Sequence, residues 1–484
     1  MRQPFDTNPV FQLVPIEKIE MPFNSRDELP PTLAALQWIW CHATLREKIL
    51  GLLSQKVIAD KKATGRTGMD LWQILVLGVT RLTLDADWDR MEHLANYDSL
   101  LRQMLGVPLT SWGRADKKFN HQTLRDNVAL LDEALLKEIN CLVAAAGREE
   151  FKKNDSAADP LAIKVDTYVL ETDVHFPTDL NLLLDGGRKC LDLVKKYRDK
   201  LGYDLPGWRK LEDWQGRLKA WERVASKTST GGGKDKEKRV GDAVASYLEV
   251  ARELSAKVGE SLLSLCDQGV ELPHWDTLAY FHGMLDKHID LVDRRLLQKQ
   301  IIPACEKVHS LFEPHTEWIN KGKLHPNVEL GHRLLIATDQ DQLIHDYDIL
   351  FNRGDMGQSV PVADRLLGRY GQGRIASISF DKGFTKAEDR ELLGLYIPTV
   401  VMPKRGKKNQ EEAAAESAPK FAKLRRAHSA VESAINALEH HGLNRCLDVG
   451  LEGYARYAGL GVLSYNLHLV GRRLLENRAV ELAA

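Results

Sequence analysis

The stretch AIKVDTYVLETDVHF, Ala162 to Phe176, is where the chain changes character. It is rich in β-branched and aromatic residues, and the polar Lys164 and Asp166 alternate with apolar neighbours, which is the period-two pattern of a strand. Upstream, from about Thr32 to Ala146, apolar residues recur at three and four positions, as in Leu71, Ile74, Leu75, Gly78 and Val79, so that region reads as all helix. Downstream, strands are predicted at HRLLIATD (His332–Asp339), QLIHDYDILF (Gln342–Phe351), RIASISFD (Arg374–Asp381) and IPTVVMP (Ile397–Pro403). Helices are predicted at Val362–Tyr370 and from about Pro419 to His441.

That order predicts an α+β fold, an RNase H-like catalytic core in which a hairpin-rich mixed sheet is covered by helices. The core would comprise residues 160–190 and 321–475, with an all-helical N-terminal domain over 1–150 and a helical insertion over 191–320. Within the insertion SKTSTGGGKDKEKR (Ser226–Arg239) reads as a flexible loop, and GKKNQEEAAAESAP (Gly406–Pro419) as an exposed connection. In the N-terminal third, Lys61-Lys62 with Arg66, and Lys117-Lys118, each precede a helix. Asn120 and Thr123 are capping candidates before a helix over Leu124–Val143. This arrangement suits either a helix-turn-helix-like DNA-binding unit or a plain helical bundle with solvated lysines.

The 484 residues suggest about three folding units. With 43% hydrophobic and 28% charged residues, the composition is that of a globular chain and excludes a disordered or disulfide-stapled one. The 67 basic and 68 acidic side chains nearly cancel, so nucleic acid would be met by local patches, not a global field. The six cysteines show no C-x-x-C or zinc-like spacing and read as reduced, mostly buried thiols of a cytoplasmic protein. MRQPFDTNPVFQ lacks the apolar run of a signal peptide, and no stretch is apolar enough to predict a membrane span.

Three carboxylates stand out by position: Asp166 within the first strand, Asp381 at the end of SISF before Lys382-Gly383-Phe384, and Glu432 beside the apolar stripe of the last long helix. In the predicted topology these elements meet at one sheet edge, and three converging carboxylates require a counter-charge. Hard oxygen ligands select Mg2+ or Mn2+, which promote phosphoryl transfer. Glu171, Asp173, Asp179, Asp339, Asp346 and Asp348 are rivals by sequence alone. Other motifs fail. GGGK, ending in Lys234, is followed by Asp235 where a phosphate loop needs Ser or Thr, Gly371-Gln-Gly373 precedes a strand instead of opening a helix, and His440-His441 has no ligand partner at metal spacing.

The run DTYVLETDVHFPTDLNLLLDGGR (Asp166–Arg188) resembles the first-aspartate block of bacterial insertion-sequence DDE transposases. FDKGF (Phe380–Phe384) resembles their second-aspartate motif, and RRAHSAVESAINALEHHGLNRC (Arg425–Cys446) their glutamate helix. GRTGMDLWQILVLG (Gly65–Gly78) is similar to the helical DNA-binding leader, and KGKLHPNVELGHRLLIATD (Lys321–Asp339) supplies the second strand, in the order of the ISNCY grouping. The resemblance implies that Asp166, Asp381 and Glu432 bind two Mg2+ ions, that Mn2+ can substitute, and that the chain cleaves and joins the terminal inverted repeats of a mobile element. It also implies double-stranded DNA as partner and a homodimer on DNA. One departure concerns relatives with an Arg four residues before the Glu, a Tyr seven before and a Lys seven after. Here those positions hold His428, Arg425 and Glu439, so the hairpin-handling roles of that subgroup are not carried over.

A basic surface is legible without the family. Lys404, Arg405, Lys407 and Lys408 follow the last strand, and Arg425, Arg426 and His428 lie on the glutamate helix, so both clusters flank the carboxylate edge and offer contacts to DNA phosphates. For His428, a packed structural role is the alternative. Two other functions share these features, a structure-selective DNA nuclease and a catalytically silent, transposase-derived DNA-binding repressor.

Overall fold

The computed structural model describes residues 2–5, 13–58, 68–108, 119–152, 160–320 and 327–483. The basic segments at 61–66 and 117–118 and the start of the 321–339 block lie outside the described residues. The described residues form two units, Met1–Asp173 with Ile319–Ala484, and Val174–Trp318.

Strand β1, Leu161–Thr172, is the axis of a mixed seven-stranded sheet. The others are β2 (Glu317–Asn320), β3 (Val328–Thr338), β4 (Ile344–Leu350), β5 (Ile375–Phe380), β6 (Val400–Val401) and β7 (Arg445–Cys446). The path is β2-β3-β1-β5-β6, with β4 also on β3 and β7 also on β1. β1 runs antiparallel to β3, from Lys164 opposite Thr338 to Glu171 opposite Gly331, and β3 antiparallel to β4. β5 is parallel to β1, with Val165 opposite Phe380, and β6 is parallel to β5. Alternation along β1 gives each face its own core. Ile163 and Val165 pack with Ile378, Phe380 and Leu366, whereas Tyr168 and Leu170 join the larger helical core.

Seven α-helices precede β1 among the described residues: α1 (Leu29–Cys41), α2 (Ala43–Val57), α3 (Leu71–Thr83), α4 (Trp88–Tyr97), α5 (Ser99–Met104), α6 (His121–Val128) and α7 (Glu133–Phe151). They share one hydrophobic core with the sheet and the C-terminal helices, so the predicted boundary near residue 150 is not a boundary of the core. Every residue of α3 is buried, so this helix presents no face to a DNA groove. Its polar residues are accommodated individually. Gln73 donates to the Leu105 carbonyl at 2.7 Å, and Arg81 pairs with Asp448 at 2.8 Å while lying over the Trp88 and Tyr457 rings. Asn120 caps α6 as expected, accepting from the Thr123 N–H at 3.0 Å, but the predicted single helix is two, split between Val128 and Glu133.

Counting α8 to α11 of the Val174–Trp318 unit (Asp179–Asp199, Leu211–Thr230, Lys236–Asp267 and Leu272–Val292), the helices after β4 are α12 (Ser359–Tyr370), α13 (Ala387–Gly394), α14 (Gln410–Ser417), α15 (Pro419–His428), α16 (Ala430–Leu438) and α17 (Gly450–Ala483). The predicted Pro419–His441 helix breaks at Ser429, whose hydroxyl donates to the Arg426 carbonyl at 2.8 Å, and ends in a π-turn over Glu439–Leu443. Gly406–Pro419 is not a plain loop. Asn409 and Glu412 form a reciprocal capping box that starts α14. Buried residues of α17 pack against α1, and a Cβ on Gly471 would lie 1.7 Å from the Pro31 carbonyl oxygen, so only glycine permits that approach.

The Val174–Trp318 unit is helical: α8 (Asp179–Asp199), α9 (Leu211–Thr230), α10 (Lys236–Asp267) and α11 (Leu272–Val292), around its own core of Leu183, Tyr247, Leu254 and Leu285. It begins before the predicted residue 191, because α8 packs with it. Ser226–Arg239, expected as a flexible loop, is mostly the end of α9 and the start of α10. All six cysteines are free thiols, but Cys41, Cys266 and Cys305 are exposed, against the expectation of mostly buried ones. Among the described residues, no helix is long and apolar enough to cross a membrane.

Candidate catalytic carboxylate site

The parallel register sets the first two carboxylates side by side. Val165 stands opposite Phe380, and one residue further the chain presents Asp166 on β1 and Asp381 at the end of β5. Asp166 shares the alternation of Tyr168 and Leu170, the face on which α16 lies, and Glu432 projects from the first turn of α16. Asp166 is half-buried, whereas Asp381 and Glu432 are exposed. Burial raises the Asp166 carboxyl from 3.8 to about 6, and the charges of Asp381, Asp355 and Glu432 push the same way, against the Thr167 N–H that donates to Oδ1 at 2.8 Å. Asp381 and Glu432 thus each lie within electrostatic reach of Asp166.

A fourth carboxylate at this corner, Asp355, was not singled out from sequence. It lies in the turn after β4 and accepts from the Thr167 hydroxyl at 2.7 Å, with Arg333 Nε at 3.9 Å. A Cβ on Gly383 would meet its carboxylate at 2.7 Å, so the turn after Asp381 closes over it. Only the fold brings Asp355 to β1, and its loop carries no periodic signal.

The rival carboxylates are held by cations. Asp339 pairs with Arg148 at 3.1 Å and His345 at 2.8 Å, Asp346 with Arg365 at 2.7 Å, and Asp348 with Lys137 and Arg353, each at 3.3 Å. Glu171 and Asp173 face Arg445, and Asp179 pairs with Arg295. Among the described residues, Asp166, Asp381 and Glu432 form no ion pair. Oxygen donors in mutual repulsion and without a protein cation suit a hard divalent ion such as Mg2+ or Mn2+.

His428, at the end of α15, is half-buried with Nδ1 2.9 Å from the Ser379 hydroxyl, while its Nε2 has no partner. Burial lowers its pKa, assisted by Lys164 and opposed by Asp381 and Glu432. His428 is thus a neighbour of the carboxylates, anchored to β5 through Ser379, and its Nε2 is left for a phosphate or a carboxylate.

The basic patch divides in two. Lys404 binds Glu412 at 2.6 Å, Lys408 binds Glu416, and Arg425 lies 3.8 Å from the same Glu416, so the two carboxylates of α14 offset most of the charge of these three. Among the described residues, Arg405, Lys407 and Arg426 form no ion pair and are exposed. A separate concavity, lined by Asp85, Glu171, Glu329, Glu439 and Arg445 among others, contains none of the three carboxylates and is itself acidic. No protein family, curated protein or solved structure matches the chain.

Proposed function

We propose that this chain is a DDE transposase of an insertion sequence, similar to the ISNCY grouping, acting on double-stranded DNA in the bacterial cytoplasm. The observation that carries the reading is the corner where Asp166, Asp381 and Glu432 stand without a protein cation while rival carboxylates are paired. A sheet with three antiparallel strands, continued by strands parallel to β1, supports an RNase H-like core. Divalent ions held by these oxygens would activate a water or DNA 3′-hydroxyl and stabilise the leaving oxygen.

The chain's own groups do the rest. Asp166 is fixed by its strand and by the Thr167 N–H, whereas Asp381 and Glu432 are exposed to an approaching phosphodiester. Arg405, Lys407 and Arg426 are available for backbone phosphates, which fix register without reading bases. Synapsis of two element ends calls for a homodimer on DNA.

The test is incubation of purified protein with Mg2+ and labelled DNA spanning each flank of its gene. Nicks at a fixed position followed by joined products are the expected result. Nicks without joining would favour a structure-selective nuclease, and binding without cleavage in Mg2+ or Mn2+ a silent DNA-binding repressor.

A further inference from the structure

Glu28, His441 and His468 come from three remote parts of the sequence, yet each offers a ligand atom within 4.8 Å of the other two. Glu28 directly precedes α1, His441 lies in the π-turn after α16, and His468 is on α17. His468 Nε2 is 3.1 Å from a Glu28 carboxylate oxygen, and the two rings stand 5.0 Å apart. The other ring nitrogens are occupied. His441 Nδ1 is 2.9 Å from the Thr83 carbonyl oxygen, and His468 Nδ1 is 3.5 Å from the Thr32 hydroxyl. A carbonyl can only accept, so His441 carries its proton on Nδ1 and its Nε2 lone pair is free.

We propose that Glu28, His441 and His468 form a second metal site, selective for Zn2+ or a similar transition ion and distinct from the carboxylate corner. Two imidazoles with one carboxylate are borderline-soft donors, suited to zinc rather than to the hard ions that three carboxylates select. Anchoring of each ring through its other nitrogen is what orients metal-binding histidines. Zn–N bonds of about 2.0–2.1 Å place neighbouring ligands closer than 4.8 Å. The exposed Glu28 side chain supplies that small closure, solvent would complete the coordination, and the Nε2 proton that His468 directs at Glu28 is released to solvent as the ion binds. The metal would tie the end of the helix bearing Glu432 to α1 and α17, so its role is to hold the frame. It holds whether or not the chain acts on DNA.

The experiment uses the full chain, stripped by chelator, in a D166N/D381N/E432Q background that silences the carboxylate corner. Co2+ is titrated as a coloured probe and then displaced by Zn2+. The expected result is one equivalent bound, with the visible absorption of a four-coordinate nitrogen and oxygen site, and a raised melting temperature. Glu28→Gln, which alters an exposed side chain, and His441→Gln should each weaken binding more than about tenfold, and Thr32→Val by about tenfold through the second ligand shell. Absence of uptake in this background, or uptake unchanged in both Glu28→Gln and His441→Gln, would overturn the proposal.

Discussion

Asp166 shows how a single residue records its surroundings. Its carboxyl is raised from 3.8 to about 6 by burial first and by Asp381, Asp355 and Glu432 next, so the folded chain disfavours the ionised form. The resulting cost is absent below about pH 4, grows between pH 4 and 6, and is constant above. Asp166→Asn keeps an oxygen for the Thr167 N–H, and should stabilise the metal-free protein at pH 7 by up to about 3 kcal/mol, with no gain at pH 4. Urea denaturation in chelator at the two pH values checks this, and an equal effect at both would refute it. Gly383 makes a second residue-scale claim. Gly383→Ala places a methyl against the Asp355 carboxylate, which the Thr167 hydroxyl holds at 2.7 Å, so cleavage should fall at least tenfold while DNA binding stays within about twofold. Rate and anisotropy measurements on the same preparation separate the two.

Among elements, the junction of α7 with the ends of β3 and β4 depends on one buried network. Arg148 reaches Asp339, Asp339 accepts from His345, and His345 meets the Tyr370 hydroxyl at 2.5 Å. Burial would raise the Asp339 carboxyl, but His345 and Arg148 outweigh it and hold it below its ordinary value. Arg148→Met leaves that carboxylate buried without its cation and should cost about 3–5 kcal/mol, read as a shifted denaturation midpoint with unchanged slope. Asp339 looked like a candidate ligand because sequence shows a carboxylate at a strand end and not the arginine behind it. For the same reason β1, β3, β4 and β5 were legible from alternation, and Asp166 and Asp381 from their places on them. The break at Ser429 was not, because it depends on one hydroxyl reaching a carbonyl within an unbroken helical pattern. α14 was missed although Asn409 and Glu412 carried a readable capping signal, which its lysine-rich, low-complexity surroundings masked.

At the scale of the whole molecule, a near-neutral chain would meet DNA only where cations are left unpaired. Sequence clustering marked Lys404, Arg405, Lys407, Lys408, Arg425 and Arg426 alike, and could not show that Glu412 and Glu416 fold back on half of them. Reversing Arg405, Lys407 and Arg426 to Glu should weaken binding to all sequences alike and reduce the salt slope by about one per residue. Anisotropy over a salt series is the check, and an unchanged slope would make the patch ordinary solvated surface. The position of α3 was equally hidden, since its helical period does not reveal that α1, α17 and the neighbouring helices enclose it on all sides. The central claim is that the unpaired carboxylates, and not the paired ones, carry phosphodiester chemistry. The most direct measurement compares Mg2+-dependent cleavage by the wild type, Asp381→Asn, Glu432→Gln and the paired-residue control Asp348→Asn on the same flanking DNA. Cleavage should fall by several orders of magnitude in Asp381→Asn and Glu432→Gln, with DNA binding retained, and stay near normal in the control. Cleavage that persists in Glu432→Gln at the wild-type rate would contradict that claim.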